Sequence, residues 1–296
     1  MNAVELSRTL ADVVEAASRS VVRVDGRSPV SGSVLSDEGH IVAVNHTLDR
    51  DELDVGLPDG SAVGARVIGR DPATDLALVQ AEATGLTPAS WGDLDGARVG
   101  EVVVAVYRPG RTARAGFGIL AALGDGWRTR FGGKIDRYVE ASLPLQPGFS
   151  GGLLVSATGK ALALSVSGLV RGVPLGIPAA TVKRVAQDLL THGHVRRGYL
   201  GVGSYPVALP PALQSSLGQT TALVVVSVQA DSPAAKAGVL LGDVVAGVDG
   251  HAVSEPADLL RLLDEESVGR EVVLRVVRGG EVRDLRATVG ERGRTA

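Results

Sequence analysis

Short runs of aliphatic and β-branched residues alternate with turn sequences from the start of the chain to about Pro178. Clusters such as Asp37-Glu38-Gly39 and Pro58-Asp59-Gly60 separate these runs. Because this alternation is typical of short strands joined by tight turns, it predicts two successive small β-barrels. The strands predicted for the first barrel are 21–24, 32–35, 41–44, 53–57, 65–68 and 76–79, and those for the second are 101–106, 116–123, 138–141, 152–155, 161–166 and 173–177.

Two segments have apolar residues at helical spacing instead. Residues 6–17 predict an amphipathic N-terminal helix, and a second helix follows Pro178, with Thr181 as its N-cap and Gly193 as its stop. The second helix is expected to close the second barrel. The apolar positions that carry these two predictions are Leu6, Leu10, Val13, Val14 and Ala17, then Val182, Val185, Ala186, Leu189 and Leu190.

The remaining residues mix strands with two helices and predict a partly open barrel. Since a chain of 296 residues normally forms about two domains, we place the boundary between residues 196 and 197. The strands predicted here are 222–228, 243–248, 271–277 and 282–289, and the helices are 232–237 and 256–263.

Three residues in the first part suggest nucleophilic catalysis. Ser150 lies in a glycine-dense turn, and His46 and Asp75 precede it in the chain order of a trypsin-type site. A serine hydroxyl needs an imidazole to take its proton and a carboxylate to orient that imidazole. His46 ends one predicted strand and Asp75 begins another, where scaffolds usually place catalytic residues.

The glycines near Ser150 suit a second requirement. The amides of Gly148 and Ser150 are candidates to stabilise an oxyanion, and Gly151 and Gly152 let the chain leave a tight turn. Taken alone, however, the same sequence is also typical of an ordinary surface turn.

Composition excludes several other classes. The net charge of −3 and the scarcity of aromatic residues, with none before Trp91, argue against nucleic acid as a partner. The absence of cysteine excludes disulfides and cysteine-based metal sites. His192 and His194 have no nearby carboxylate, so we interpret them as linker residues and expect no metal.

The sequence as written predicts a soluble, cytoplasmic protein. No run approaches the ~18 uninterrupted apolar residues of a membrane span, and the first residues lack the pattern of a signal peptide. The alternative, if a leader is missing, is a periplasmic or secreted protein.

The turn formed by Tyr199, Leu200, Gly201 and Val202 is a candidate peptide-binding site. Its amides could bind a peptide carboxylate while the adjoining strand edge pairs with the rest of the peptide. The motif is weak alone, since similar turns occur in many proteins.

From about residue 6 to residue 290, the chain resembles the HtrA or Deg type of serine protease. In that family a chymotrypsin-like double β-barrel is followed by an α/β PDZ domain, which implies a mainly β protein with a protease domain over 1–196 and a PDZ domain over 197–296. The segments that carry the resemblance are 32–39, 44–46, 57–60, 71–77, 91–93, 99–101, 147–152, 176–178, 196–202, 231–238 and 241–245.

The resemblance implies roles for single residues. His46 would be the general base, Asp75 its orienting partner and Ser150 the nucleophile, and residues Gly148 to Ser150 with Phe149 between them would form the oxyanion hole. The specificity pocket would involve Ser165, Val166, Ser167, Leu175 and Ile177. Because the two stretches that contain these residues hold no acidic residue, a small or medium apolar side chain is the expected occupant.

The resemblance also implies an endopeptidase that cleaves unfolded proteins or peptides without metal or cofactor and binds peptide C-termini at its PDZ domain. A homo-oligomer is a further expectation, although the N-terminal aromatic residues that pack in family trimers are absent.

Some positions depart from the family pattern. Gln146 and Phe149 replace two asparagines, Leu153 replaces a proline, and Tyr107-Arg108-Pro109-Gly110 replaces a Gly-Asn-Pro turn. Phe149 could block the primary pocket or hold the oxyanion loop in an inactive arrangement. A second hypothesis is therefore a catalytically impaired scaffold that binds peptides through its PDZ domain.

Overall fold

The structure is a computed structural model that describes residues 2–144, 146–170 and 172–291. Two compact units divide the chain, Met1–Val195 and Arg196–Ala296. The protein is mainly β, as the sequence predicts.

The first unit contains two closed barrels of six strands each. In spatial order, the first barrel is β1-β2-β3-β6-β5-β4 and the second is β11-β14-β13-β12-β7-β8. The elements are α1 (Ala3–Ser18), β1 (Val21–Asp25), β2 (Pro29–Val34), β3 (His40–Val44), a 3₁₀ turn (Asn45–Thr47), β4 (Glu52–Gly56), β5 (Ala62–Asp71), β6 (Leu76–Ala81), β7 (Val102–Tyr107), β8 (Arg114–Gly124), β9 (Trp127–Arg128), β10 (Lys134–Ile135), β11 (Tyr138–Ala141), β12 (Leu153–Ser156), β13 (Ala161–Val166), β14 (Leu175–Pro178) and α2 (Ala179–His192).

Alternation along each strand separates the barrel interior from its outer face. In β2, Val30 and Val34 pack in the core of the first barrel, whereas Ser31 and Ser33 between them face the other way and are fully buried against the second barrel's loops.

The sequence did not predict the short β9–β10 pair, which forms a separate two-stranded sheet.

Helix α2 packs against both barrels. Its residues Val182, Val185 and Leu189 share one apolar cluster with Val42 of β3 and Leu164 of β13. The helix ends at Gly193, whose φ of 74° forms the left-handed cap that the sequence predicts.

The N-cap prediction for this helix was wrong. Pro178 occupies the N-cap, and Thr181 lies inside the first turn, where its hydroxyl donates to Asp136 Oδ2 at 2.6 Å. The helix therefore starts earlier than the apolar spacing alone indicated, because the proline sets an extended backbone immediately before it.

The second unit is built on an open sheet in the order β16-β17-β18-β20-β21, and β19 pairs with β18. The sheet is not closed, since β16 lies at one edge and β21 at the other. Its elements are β15 (Gly198–Tyr199), β16 (Val202–Ala208), α3 (Pro211–Leu217), β17 (Thr221–Val228), α4 (Pro233–Lys236), β18 (Val244–Val248), β19 (His251–Ala252), α5 (Pro256–Leu262), a 3₁₀ turn (Glu265–Ser267), β20 (Glu271–Arg278), β21 (Glu281–Thr288) and β22 (Gly290–Glu291).

Replacing the fully buried Leu154 by Ala should lower the free energy of unfolding of the first unit by about 2–5 kcal/mol, because it leaves a cavity in the second barrel. Both tryptophans, Trp91 and Trp127, lie in this unit, so urea unfolding followed by tryptophan fluorescence reports on it selectively. Val99→Ala, at an exposed position, is the control and should change stability by about 0.5 kcal/mol or less. Equal effects would contradict this assignment of the core.

Candidate active site

The pairing of β3 with β6 brings His46 beside Asp75. Val44 is opposite Leu76 in this antiparallel pair, so the residues that follow β3 meet the residue that precedes β6. Asp75 Oδ2 lies 2.6 Å from His46 Nδ1, and Asp75 Oδ1 accepts the backbone amide of His46 at 2.9 Å. The carboxylate thus holds both the ring and the backbone of this histidine.

Asp75 has a backbone conformation that few residues adopt. Its φ is +62°, in the left-handed region, where aspartate is tolerated better than most non-glycine residues. Its carbonyl accepts the amide of Asn45 at 3.0 Å. The turn before β6 therefore aims the carboxylate at His46 rather than along the strand.

The contact with Asp75 also sets the charge preference of His46. The hydrogen bond to the Asp75 carboxylate raises the pKa of His46 above its ordinary value of 6.5, and partial burial opposes the shift without cancelling it. The bond from Nδ1 leaves Nε2 as the ring nitrogen that can accept a proton at neutral pH.

Two serines of β2 hold the turn that carries Ser150. Ser31 Oγ donates to Gly148 O at 2.6 Å, Ser33 Oγ donates to Gly151 O at 2.9 Å, and the Ser31 amide donates to Ser150 O at 3.1 Å. Gly151 has a φ of +86°, and a Cβ there would overlap the Ser31 carbonyl. Close approach of the turn to β2 therefore requires glycine at this position.

The two amides proposed for the oxyanion hole differ from the amide between them in their hydrogen bonding. Among the described residues, neither the Gly148 nor the Ser150 amide donates a hydrogen bond, whereas the intervening Phe149 amide donates to Gln146 O at 3.0 Å. The amides of Gly148 and of Ser150 itself are thus available as the donors that an oxyanion requires.

Phe149 does not project into the cleft. The ring is only 3% exposed and packs edge-on against Tyr107, with 6.3 Å between centroids, in the apolar core of the second barrel. Tyr107 and Phe149 both lie at positions that depart from the family pattern, and their rings contact each other. The ring therefore does not block the pocket entrance, which answers the concern that the sequence raised.

Ser150 itself bonds to Ser167 rather than to His46. The two hydroxyls are 2.9 Å apart, and the Ser167 amide donates to Ser150 Oγ at 3.2 Å. The next residue, Gly168, lies against the imidazole, since a Cβ there would be 3.0 Å from His46 Nδ1. The three predicted catalytic residues thus converge around residues 167 and 168.

The predicted pocket residues divide between two faces. Ser165 and Ser167 lie on the side of Ser150, and Ser165 pairs with the turn through hydrogen bonds to Gly151 and Gly152, both 2.8 Å long. Its buried hydroxyl has no partner among the described residues. The other three predicted residues are Val166, Leu175 and Ile177. Their side chains point to the opposite face and pack with α2, so they are not part of this site. The reason is the alternation of side chains along β13 and β14.

Arg108 is a supporting residue that sequence reasoning missed. It is buried, its amide donates to Ser31 Oγ at 2.7 Å, and its guanidinium donates to the carbonyls of Ser18, Val21 and Arg111. Burial lowers its pKa. Ser31 and Ser33 were also missed, although small polar residues alternating in an otherwise apolar strand were a signal.

Within the described ranges, no group of three or more acidic or histidine side chains is arranged to hold a metal ion. His194 Nδ1 lies 3.0 Å from the His192 carbonyl in the segment after α2.

No helix among the described residues is long and apolar enough to cross a membrane.

In the second unit, the predicted peptide-binding turn lies between β15 and β16. Leu200 is buried in the core, Tyr199 Oη donates to Gln229 Oε1, and Gly201 has a φ of +80°. In the described part of this unit, the amides of Leu200 and Gly201 have no acceptor. β16, which begins at Val202, is an edge strand of the sheet and packs near α5.

Comparisons with known proteins agree with this geometry. Residues 30–164 match the family model of the trypsin-like peptidase domain, and residues 198–289 match that of the PDZ domain. The solved structure of the HtrA-type protease AlgW with a tripeptide is 31% identical, covers 96% of this chain and 97% of its own, and has a TM-score of 0.72. The chain belongs to the HtrA-type protease family.

A second structure of AlgW and a curated relative are also similar to this chain. AlgW with a decapeptide gives a TM-score of 0.75 at 29% identity over 96% of this chain and 98% of the other. A "Probable periplasmic serine endoprotease DegP-like" from Brucella suis biovar 1 (strain 1330) is 34% identical over 268 residues, which are 88% of this chain and 52% of that protein. The chain spans about half the length of the curated relatives it matches.

The expectation of a cytoplasmic location was wrong. The relatives from Brucella suis, Halomonas elongata and Pseudomonas fulva are all named periplasmic serine endoproteases. Neither composition nor charge distinguishes the two compartments, which is why the sequence alone misled us.

The ring of His46 should titrate above pH 6.5 in the folded protein, because Asp75 favours the charged imidazolium. Its contribution to stability is complete below the unfolded pKa and is lost as the pH rises through the folded pKa. NMR titration of the histidine ring signals, with His46→Gln to assign them, measures this value. Asp75→Asn should lower the midpoint, whereas Asp59→Asn, at an exposed hairpin turn, should not. A midpoint at or below 6.5 in the unmodified protein would contradict the assignment.

Proposed function

We propose that this protein is a serine endopeptidase that cleaves unfolded proteins or peptides by acyl-enzyme chemistry. The observation that carries the proposal is the double contact of Asp75 with the ring and the backbone of His46. It is supported by the Gly148 and Ser150 amides, which have no acceptor among the residues that the structure describes. We assign His46 as general base, Asp75 as its orienting carboxylate and Ser150 as nucleophile.

The reaction begins with rotation of the Ser150 hydroxyl from Ser167 towards Nε2 of His46. Nε2 takes the proton as Oγ attacks the scissile carbonyl, and the resulting imidazolium is stabilised by the Asp75 carboxylate. The amides of Gly148 and Ser150 donate to the oxyanion. The imidazolium then protonates the leaving amine, and water hydrolyses the acyl-enzyme by the reverse sequence of proton transfers.

Substrate preference rests on the side of β13 that faces Ser150. Ser165 and Ser167 are neutral and small, and no carboxylate lies in this stretch to attract a basic side chain. We therefore propose that the residue preceding the cleaved bond is small or medium-sized and apolar.

Ser150→Ala should reduce proteolysis of an unfolded casein substrate by about 10⁴-fold or more, because the nucleophile is removed. A fluorophosphonate probe should label the unmodified protein and fail to label this variant. Ser142→Ala, at an exposed position of the same barrel, serves as the control and should keep full activity and labelling. Undiminished cleavage by Ser150→Ala would refute the proposal.

We further propose that the second unit binds the C-terminus of a peptide. Three observations on the described residues support this: the Leu200 and Gly201 amides have no acceptor, the φ of Gly201 is positive, and the outer edge of β16 has no neighbouring strand. Successive amides in such a turn form a concave site for a carboxylate, and the strand edge can pair with the peptide backbone.

We also propose a periplasmic location, because the relatives named above are described as periplasmic.

A free-acid peptide with an apolar C-terminus should bind the full chain carrying Ser150→Ala more tightly than its amidated form does. The expected difference is about 1 kcal/mol or more, the size of a lost charge-assisted hydrogen bond, and calorimetry measures it. Gly201→Val should remove binding of the free acid, because a Cβ there overlaps Ser232. Equal affinities for the two peptides would exclude carboxylate recognition.

A further inference from the structure

Thr129 is a buried residue of the β9–β10 hairpin whose hydroxyl takes part in three hydrogen bonds. The residue is 6% exposed, and its hydroxyl donates to the carbonyl of Ala73 at 2.6 Å. The same oxygen accepts the amides of Phe131 at 3.3 Å and of Gly133 at 3.1 Å. One side chain therefore holds its own hairpin loop together and connects that loop to a distant turn of the first barrel.

The turn that it reaches is the one that precedes Asp75. Asp71 Oδ1 accepts the amide of Ala73 at 3.2 Å, and its Oδ2 accepts the hydroxyl of Thr74 at 2.6 Å. Gly133 lies so close to Ala73 that a Cβ on the glycine would overlap the Ala73 carbonyl. The hairpin loop and the turn are thus in tight backbone contact, and the Thr129 hydroxyl is the polar link between them.

This turn determines where the Asp75 carboxylate points. Asp75 has a φ of +62°, and a non-glycine residue keeps such a conformation only where its surroundings hold it. Both of its carboxylate oxygens are used by His46. A small displacement of the turn would therefore act directly on the contact between Asp75 and His46.

We propose that Thr129 is a positioning residue for catalysis, which holds Asp75 against His46 through the Ala73 carbonyl. Among the described residues, Thr129 forms no hydrogen bond with His46 or Ser150, so we place its action in the turn. The inference rests on the proposed function, in which His46 and Asp75 work as base and orienting partner. If the hydroxyl is removed, the Ala73 carbonyl loses its donor and the turn relaxes.

The test compares Thr129→Val, which keeps the shape of the side chain and removes the hydroxyl, with Thr129→Ser, which keeps the hydroxyl. Thr129→Val should lower kcat, with KM nearly unchanged, by up to about 100-fold, the loss that a misplacement of about 1 Å can cause. Thr129→Ser should restore most of kcat.

The second readout is the NMR titration midpoint of the His46 ring, which requires no activity. Asp75 is the charged group whose contact with His46 raises the pKa, so a loosened contact should shift the midpoint towards 6.5 in Thr129→Val and leave it high in Thr129→Ser. A residue that only stabilised the fold would lower the melting temperature without this shift.

Thr181→Val is the matched control. Thr181 is also a buried threonine of the same unit, and its hydroxyl bonds Asp136, immediately after β10, rather than the turn before Asp75. We expect this variant to lose stability while keeping the His46 midpoint and kcat of the unmodified protein.

The outcomes separate the two proposals. If the unmodified protein is active and Thr129→Val keeps both its kcat and the His46 midpoint, the positioning role is wrong and the proposed function stands. If Thr181→Val shifts both readouts as strongly as Thr129→Val does, the effect is general destabilisation and the inference fails. If the unmodified protein neither cleaves protein nor reacts with a fluorophosphonate, the proposed function fails first.

Discussion

The hydroxyl of Ser31 joins the two barrels at the point where the candidate site forms. It accepts the amide of Arg108 and donates to the carbonyl of Gly148, and so connects strand β2 of the first barrel with two loops of the second. His46 and Asp75 come from the first barrel and Ser150 from the second. The geometry of the site therefore depends on this buried contact, because each barrel supplies only part of the chemistry.

The unusual residues around Ser150 form a consistent set. Phe149 stands where the family pattern has asparagine, and its ring packs on Tyr107 in the core of the second barrel. The next residue, Arg108, is buried and satisfies three backbone carbonyls. Apolar packing and a buried guanidinium thus support a loop that has asparagine side chains in the family pattern. Within the described part of the chain, the Gly148 and Ser150 amides of this loop have no acceptor.

The second unit has a different organisation. Over the described residues of this unit, the sheet ends at β16, whose outer edge has no neighbouring strand, and two amides of the turn before that strand have no acceptor. An exposed strand edge normally favours unwanted association, so its position beside this turn supports the peptide-binding role that we propose for this unit.

The sequence by itself determined the barrels, the helix cap at Gly193, and the identity and order of His46, Asp75 and Ser150. These properties follow from short-range patterns: side-chain alternation, turn residues and the residue types that acyl transfer needs. Only the tertiary structure decided the direction of the Phe149 ring, the partner of the Ser150 hydroxyl and the face on which Val166, Leu175 and Ile177 lie. It also brought Thr129 to Ala73, across 56 positions of the chain. Such contacts depend on how segments that are distant in the chain pack against one another, and no local pattern encodes that packing.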